Sequence, residues 1–505
     1  MIRLVDRFID RITMYRLVLW YLVVLLIAAA LLGTLLVIAI NPVALALSTV
    51  LVLSAGWIAN QMFARIFGAI PNIESVYITG LIILLIMDPA SLGDLAAAGA
   101  IVLASAWAMA SKFILSVRRR HIFNPAALGV ALPGLLLDHP ATWWVSGELW
   151  LAPIVIIGGL LIVRKLRRFD LVIAFGVANL ATTILTGSLS DAWNSVQLAL
   201  LHSPFFFLAC VMLTEPLTAP QGKLWRIVYG GLVGALACPN TVIAGYYFTP
   251  EVALLAGNLL TVLVSPKGRV VLTLERIEQA ANGIYDFVFR PDRRLAFAAG
   301  QYLEWTLPMD KGDARGNRRY FTIASAPKEA DIRLGVKFVD NGSAFKRELA
   351  SLTPGDQIVA SQLAGSFTLP RNPNRKLAFI AGGIGVTPFR SMLVELLQRS
   401  ERRDIVVVYG SNRIDEFAYV DVLARARKEL HIPTQYVVRD GAGAPPEMYI
   451  GLITQHLLRE TIPDFSERLF YVSGPQAMVS VTRDALLALG VPHRRIRTDF
   501  FPGLA

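Results

Sequence analysis

Cysteine is nearly missing from this chain. Among 505 residues only Cys210 and Cys238 occur, both inside apolar stretches. That excludes an iron–sulfur cluster held by four cysteines of this chain and argues against a disulfide framework. Histidine is almost as rare, and before residue 266 there are only His121, His139 and His202. None has a partner at a spacing that would hold haem between neighbouring helices. His121 and His139 fall at loop ends, where they read as surface residues. Neither haem nor a metal site is expected. Charge is scarce too, at 17% of residues against 55% hydrophobic. No small-residue cleavage site follows the first apolar block. Met1–Met14, with Arg3, Asp6, Arg7, Asp10 and Arg11 among apolar residues, therefore reads as an amphipathic helix on a membrane surface, with a cleaved signal as the alternative.

What the chain has in abundance is apolar runs. Up to Ser265 the sequence is a series of blocks, several near the ~20 residues that cross a bilayer. From Pro266 it turns charged, with short mixed runs and glycine-rich turns, and no long flexible linker lies at the break Ser265–Gly268. Residues 1–265 are expected to form a polytopic α-helical membrane domain of about ten crossings. These lie near 17–40, 43–64, 75–87, 94–116, 123–137, 148–163, 170–187, 193–213, 226–243 and 250–265. Basic clusters at Arg3–Arg16, Arg65, Lys112 with Arg118–Arg120, Arg164–Arg168 and Lys223/Arg226 all fall on one side of this pattern. The loops Asp88–Asp94, Asp138–Glu148 and Ser188–Asp191 on the other side are acidic or neutral. The positive-inside rule then puts both termini in the cytoplasm of a multi-pass protein of the cell inner membrane. The net charge of +11 is accounted for by this orientation, with no need of nucleic acid.

Two of the blocks are half-length and end alike. Ser75–Met87 closes on Asp88-Pro89, and Phe205–Thr214 closes on Glu215-Pro216. Phe123-Asn124-Pro125 is a third broken start. The Asp88 and Glu215 runs cross in opposite senses, the pattern of an inverted repeat whose broken helices meet near the midplane around a ligand. Acids so placed are functional candidates. Glu74-Ser-Val-Tyr-Ile-Thr-Gly80, Phe123-Asn-Pro-Ala-Ala-Leu-Gly129 and Thr214-Glu-Pro-Leu-Thr-Ala-Pro220 carry a resemblance, over most of 15–265, to the membrane flavin subunits of the Rnf and sodium-pumping NADH:quinone reductase complexes. The resemblance implies a flavin among the helices, with Thr79 and Asn124 as cofactor residues, and one-electron transfer across the bilayer. It also implies a Ser-Gly-Ala-Thr site for covalent FMN. This chain has Ser146-Gly147-Glu148-Leu149 there, without the attachment threonine, so a non-covalent flavin, FMN or riboflavin, is expected.

The second half opens with short strands and turns over 266–372, which suggests a small antiparallel β-barrel. Within it, Arg319-Tyr-Phe-Thr-Ile-Ala-Ser325 reads as a seat for a flavin. Period-two alternation puts Arg319 and Phe321 on one face and Tyr320 and Thr322 on the other. A guanidinium can clamp a diphosphate through two parallel hydrogen bonds, an aromatic can lie on the ring, and a hydroxyl can bond the ring's N5 edge. A helix at Ser343–Leu352, opened by Gly342-Ser343, offers N-terminal amides for a diphosphate, and Ser343 is also a plain N-cap. Over 373–505 strands and helices alternate. Strand Lys376–Ile380 is followed by Gly382-Gly-Ile-Gly-Val-Thr-Pro388 and a helix Phe389–Arg399. Strand Ile405–Tyr409 leads to Gly410-Ser411 and a helix Asp415–Lys428, and strand Leu469–Val472 leads to Ser473-Gly474-Pro475. Small residues at the C-terminal ends of parallel strands mark a nucleotide edge.

With these motifs in place, 268–505 resembles the ferredoxin–NADP reductase family. Gly300-Gln301-Tyr302, Arg319–Thr322 and Gly342-Ser343 match its FAD motifs. Gly382, Gly383, Gly385, Thr387 and Pro388 match its nicotinamide-dinucleotide loop, and Tyr471–Pro475 the loop under the nicotinamide. The resemblance implies that Thr322 and Ser473 act at the reacting centre, that Gly410 and Ser411 help hold the dinucleotide, and that Phe501 covers the flavin. The expected function is electron transfer from cytoplasmic NADH or NADPH through FAD to a membrane flavin and on to an extracytoplasmic acceptor, such as a flavin-carrying protein. The alternatives are a transporter or channel regulated by a reductase domain, and a membrane-anchored NAD(P)H:quinone reductase. The sequence leaves NADH against NADPH open, because Arg413 and Asp415 both follow Ser411.

Overall fold

The computed structural model describes residues 9, 12–68, 73–117, 120–187, 192–220, 222–243, 245–264, 269–308, 317–339 and 342–499. Most of the Met1–Met14 segment, the loop 188–191, the break Ser265–Gly268 and Phe501 lie outside them. The chain divides into two compact units, Met1–Gly268 and Arg269–Ala505.

The first unit is helical: α1 (Met14–Thr34), α2 (Pro42–Ile66), α3 (Ile73–Ile86), α4 (Leu95–Ile114), α5 (Pro125–Leu136), α6 (Ala152–Leu166), α7 (Phe169–Thr186), α8 (Ala192–Leu201), α9 (Lys223–Leu236) and α10 (Pro250–Val264). Among the described residues α1, α2, α4 and α7 are long and apolar enough to cross a membrane, and α8 with Phe205–Met212 makes a fifth if that bent pair is one span. This is fewer than the ten crossings expected from hydropathy. Several of the expected blocks form helices shorter than a full crossing, α3, α5 and α10 among them, and for α3 the sequence already marked a half-length run closed by Asp88-Pro89. Prolines and caps shorten them. Asn124 Oδ1 accepts from the Ala127 amide ahead of Pro125, and α3 stops before Asp88-Pro89, where proline cannot continue a helix. The 193–213 block is likewise not one helix. It bends by 58° after α8, and its second part is a short turn, Phe205–Phe207, running into a π-helical turn, Leu208–Met212, the kind of irregularity that often marks a functional position.

Close packing of small residues holds this unit together. A Cβ on Gly234 would lie 2.3 Å from the Phe175 carbonyl oxygen, so only glycine lets α9 touch the backbone of α7. The loose carbonyls at the end of α3 are met by Trp144, whose indole N–H donates to Leu84 O and Met87 O at 3.0 Å each, satisfying groups that a helix end otherwise leaves open.

The second unit has two six-stranded sheets. The first comprises β1 (Val270–Ala281), β2 (Ile284–Pro291), β3 (Tyr302–Thr306), β4 (Arg318–Thr322), β5 (Ile332–Lys337) and, after α11 (Ala344–Ala350), β6 (Gln357–Ala364). It is antiparallel in the order β4-β3-β6-β1-β2-β5. Its outer strands β4 and β5 approach where the Ala324 amide donates to Arg333 O. Its inner face buries Leu272, Phe289, Trp305, Leu334 and Ile358. The second sheet is parallel, in the order β10-β9-β8-β7-β11-β12. Its elements are β7 (Leu377–Gly382), α12 (Thr387–Arg399), β8 (Ile405–Ser411), α13 (Val420–Leu430), β9 (Thr434–Val438), β10 (Tyr449–Ile450), α14 (Gln455–Thr461), β11 (Leu469–Ser473), α15 (Gln476–Ala488) and β12 (Ile496–Asp499). The strands β7, β8 and β11 are apolar on both faces, because helices cover both sides of a parallel sheet. α13 starts at Val420, five residues after the Asp415 start that the sequence suggests. Ile414–Glu416 is a separate 3-10 turn, and Tyr419 stands between them in the left-handed region at φ 59°, which breaks the helical run.

Candidate flavin and nucleotide site

The parallel sheet gathers the glycine-rich turns at one edge. Strand order runs outward from β7 in both directions, through β8 on one side and β11 on the other, so the C-terminal end of β7 is the switch point where ligands bind in such sheets. Gly382 pairs with Gly410, and Ala381 with Ser473. Gly383–Val386 form one 3-10 turn, and α12 opens at Thr387 with Pro388 in its first turn, two residues before the expected Phe389. The Thr387 hydroxyl donates to Ile384 O at 3.1 Å and fixes that turn. A Cβ on Gly385 would lie 2.5 Å from both Gly474 Cα and Ser473 O. The dinucleotide turn therefore runs in contact with the Ser473-Gly474-Pro475 loop, and Gly382, Gly383, Gly385, Thr387, Pro388, Gly410, Ser411, Ser473, Gly474 and Pro475 meet at one edge. The N-terminus of α12, with its positive dipole end, lies at the same edge and favours an anion there.

The strand expected to seat the flavin is β4. Arg319 and Phe321 share a face, as alternation predicts. The guanidinium lies 5.2 Å from the centroid of the Phe345 ring, and Phe321 meets the same ring at 5.8 Å. Phe321 is buried with the apolar interior of the antiparallel sheet. The exposed aromatic of the strand is Tyr320, edge-on to Tyr302 at 5.6 Å, its hydroxyl donating to the buried Glu304 at 2.8 Å. Ser343 is an N-cap, its Oγ accepting from the Lys346 amide at 3.4 Å, and the helix it caps, α11, is shorter than the Ser343–Leu352 expected. Beside it Arg347 donates to Gly342 O, Lys346 donates to Lys337 O at 2.7 Å and Arg319 lies over Phe345 of the same helix, so three cations gather at α11. These residues fit the diphosphate of FAD. Gln301 is engaged by the fold: its side chain accepts from the Ala298 amide and donates to Gly365 O. Ser325 likewise accepts from the Arg333 amide through its hydroxyl.

Sequence reasoning missed the groups that join the two sheets. Arg390 of α12 donates to Ala324 O at 2.7 Å, just past the end of β4, and pairs through both terminal nitrogens with Glu329 at 2.9 and 3.1 Å. Ser391 donates to Ser325 O. Tyr419 donates to the buried Asp286 of β2, which also meets Arg333 at 3.3 Å. Burial pushes the Asp286 carboxyl above the usual range, against the pull of Tyr419, Arg390 and Arg333. Burial also acts to raise Glu329, but its hydrogen bonds and charge pairing with Arg390 more than offset that and leave it below the ordinary glutamate value. The only hint in the sequence was two polar residues, Arg390 and Ser391, on an otherwise apolar helix face.

In the helical unit Thr79 and Asn124 belong to one buried polar cluster. The Lys112 ammonium donates to Thr79 Oγ1 at 3.1 Å and Ser75 Oγ at 2.9 Å. Asn124 Nδ2 donates to Glu215 Oε2 at 2.9 Å, and its amide donates to Asn258 Oδ1 at 2.8 Å. His121 does not stand as a surface histidine: its ring lies 3.4 Å from Glu215. The two acid-proline ends also part company. Glu215 is held in this cluster, whereas Asp88 is exposed and accepts from Thr142 at 2.9 Å. Ser146 and Gly147 lie in a four-residue helical turn, Trp144–Gly147.

Residues 379–484 match the oxidoreductase NAD-binding domain family. Among curated proteins the chain is similar to a flavohemoprotein of Pseudomonas putida, 28% identical over 239 residues, covering 46% of this chain and 59% of that one. It is also similar to the phenol hydroxylase P5 protein of Acinetobacter pittii, 27% identical over 245 residues, covering 47% and 66%. A solved FAD/NAD-binding domain of nitric oxide dioxygenase from Vibrio cholerae superimposes with a TM-score of 0.42 at 22% identity, over 46% of this chain and 98% of that one. The chain spans about three-fifths of the length of the curated relatives it matches. The C-terminal unit is a ferredoxin-reductase-type FAD- and NAD-binding unit, of the kind found in NAD(P)H-dependent flavin oxidoreductases.

Proposed function

We propose that this protein takes electrons from cytoplasmic NADH or NADPH at the edge of the parallel sheet and passes them through its membrane unit to an extracytoplasmic acceptor. The observation that carries this reading is the bonding of α12 to the end of β4. The helix that begins at the dinucleotide turn is hydrogen-bonded through Arg390 and Ser391 to Ala324 and Ser325, so the nucleotide edge and the flavin strand hold a fixed relation. FAD, when bound, supplies the exchange between two-electron and one-electron chemistry, and the protein supplies position and potential. Arg319 and Arg347, with Lys346 beside them, would hold its diphosphate. Thr322, buried at the end of β4, offers a hydroxyl to the N5 edge. Ser473 and Gly474 form the floor under the nicotinamide, where the close approach of Gly385 leaves no room for a side chain.

The membrane step rests on the resemblance to the Rnf and sodium-pumping reductase subunits and on the broken helices around Lys112, Asn124 and Glu215. Such interruptions are tolerated within a bilayer only where they face protein or a cavity, and a non-covalent FMN or riboflavin is the occupant proposed. The protein is placed in the inner membrane with both termini cytoplasmic, and its acceptor outside is a carrier such as a flavin-bearing protein. The test seals the protein in vesicles with the C-terminal unit outward, adds NADH or NADPH outside, and follows a dye trapped in the lumen. Reduction of the trapped dye that is lost in Asn124→Ala or Thr79→Val supports the route. Reduction confined to dyes on the nucleotide side leaves a membrane-anchored reductase.

A further inference from the structure

The sequence left the choice between NADH and NADPH open, and the arrangement beyond β8 decides it. The two nucleotides differ by a phosphate on the adenosine ribose. An acid near the end of the second strand accepts from the free 2′-hydroxyl, whereas a free arginine there accommodates the phosphate. Ser411 ends β8, and the 3-10 turn Ile414–Glu416 follows after Asn412 and Arg413. Arg413, the residue that would serve a phosphate, is bound at both ends of its fork by Asp415: Nε lies 3.2 Å from Oδ1 and Nη2 3.1 Å from Oδ2. Asp415 is itself anchored from the antiparallel sheet. Asn282 Nδ2 donates to Oδ2 at 2.7 Å, and the Asn282 amide donates to Asp415 O at 2.9 Å. The second acid is held in the same way. Glu416 Oε2 accepts from the Ser411 hydroxyl at 3.2 Å and from Lys337 of β5 at 2.8 Å.

We infer that Asp415 and Glu416 make this protein selective for NADH over NADPH. The inference rests on the reading of this edge as the dinucleotide site. Both acids are fixed by partners from the other sheet, so they are placed before any ligand arrives, which removes an ordering cost from binding. A carboxylate has about four acceptor positions. Both bonds to Glu416 fall on Oε2, which leaves Oε1 for a ribose hydroxyl, while Asp415 is taken by Asn282, its own amide and the exposed Arg413, of which Arg413 can give way to a ribose hydroxyl. A dianionic 2′-phosphate meets the opposite situation. Arg413 and Lys337 each already pair with a carboxylate. Arg439, whose amide donates to Ser411 O, is exposed and followed directly by Asp440. The three cations of this edge stand among three carboxylates, and the phosphate would have to displace them or sit beside them.

The test uses the full-length protein in detergent, with FAD content measured and ferricyanide as acceptor. It compares kcat/KM for NADH and NADPH in the wild type, Asp415→Asn, Glu416→Gln and the double variant. The wild type is expected to prefer NADH by about tenfold or more, the scale of one charge-assisted hydrogen bond. Each single variant should lower the NADH value and raise the NADPH value, and the double variant should bring the ratio near or below one. Asp415→Asn keeps the side-chain shape and one acceptor for Asn282, and equal FAD content across the set excludes misfolding as the cause. A wild type that prefers NADPH, or a ratio unchanged in the double variant, overturns the inference and leaves the reductase reading standing. Failure of both nucleotides to reduce the FAD-loaded wild type overturns the reductase reading itself.

Discussion

Arg319 and Gly385 show how differently single residues reveal themselves. Arg319 stood out in the sequence because an arginine two places before an aromatic and three before a hydroxyl suits a flavin seat. The structure adds positive neighbours, Lys346 and Arg347, which were not legible because a turn brings them in from a later helix. Arg319→Ala should lower FAD occupancy of the purified protein on dilution, since a bidentate clamp is lost; full retention of the flavin would remove Arg319 from the site. Gly385 read as one glycine among several in a phosphate-type turn. The structure gives it a narrower duty, contact with the Ser473-Gly474 backbone. Gly385→Ala, which adds only a methyl group, should therefore depress NADH and NADPH turnover sharply while FAD stays bound, and unchanged turnover would show that the two loops need not touch. Phe321 was read only in part. Its face was assigned by alternation, but its burial, with Tyr320 left as the exposed aromatic, depends on how the antiparallel sheet curves.

At the scale of elements, α12 joins the two sheets, and its salt bridge to Glu329 carries a definite pH signature. The Glu329 carboxyl is held below the ordinary glutamate value in the fold. Its contribution is therefore complete above the unfolded-state value and is lost as pH falls through the depressed folded-state value. Glu329→Gln should lower stability at neutral pH by about 2 kcal/mol, the usual size for a hydrogen-bonded charge partner, and urea melts of the two proteins should converge on acidification. A gap that persists undiminished at acid pH would assign the loss to packing. The parallel sheet was legible because its strands are continuous apolar runs ended by small residues. The start of α13 was not, because Asp415 and Glu416 resemble a first helical turn, and only the left-handed Tyr419 shows that the helix begins later. The half-length α3 and the broken start of α5 were legible, because Asp88-Pro89 and Asn124-Pro125 mark them; that these blocks and α10 fall short of a full crossing was not, because hydropathy measures how apolar a block is, and caps and prolines decide how much of it is helical.

For the whole molecule, the prediction concerns sidedness. If the basic clusters around Lys112, Arg164–Arg168 and Lys223/Arg226 set the orientation as proposed, the C-terminal unit faces the cytoplasm. Protease added to right-side-out membrane vesicles should leave that unit intact, and inverted vesicles should release it as a fragment of the Arg269–Ala505 unit. Cleavage in the right-side-out preparation would reverse the orientation and with it the direction of electron flow. The two-part organisation was the most legible feature of all, since composition changes abruptly within a few residues. The buried cluster of Lys112, His121, Asn124, Glu215 and Asn258 was the least, because its members are separated by long apolar stretches and no periodicity links them.

The bonding of α12 to the end of β4 also bears on how this protein can be recombined. Swapping only the nucleotide-binding sheet for that of a relative, with a crossover near residue 372, would set a foreign helix against Ala324, Ser325 and Glu329, while a foreign turn would replace the acids that Asn282 and Lys337 hold in place. Such a chimera inherits two surfaces never selected to meet. A crossover near residue 268 keeps every one of these contacts within one parent. Chimeras made at the second point should bind FAD and oxidise nucleotide like the donor, and those made at the first should not, unless Arg390, Ser391, Asp415 and Glu416 travel with the sheet that they touch.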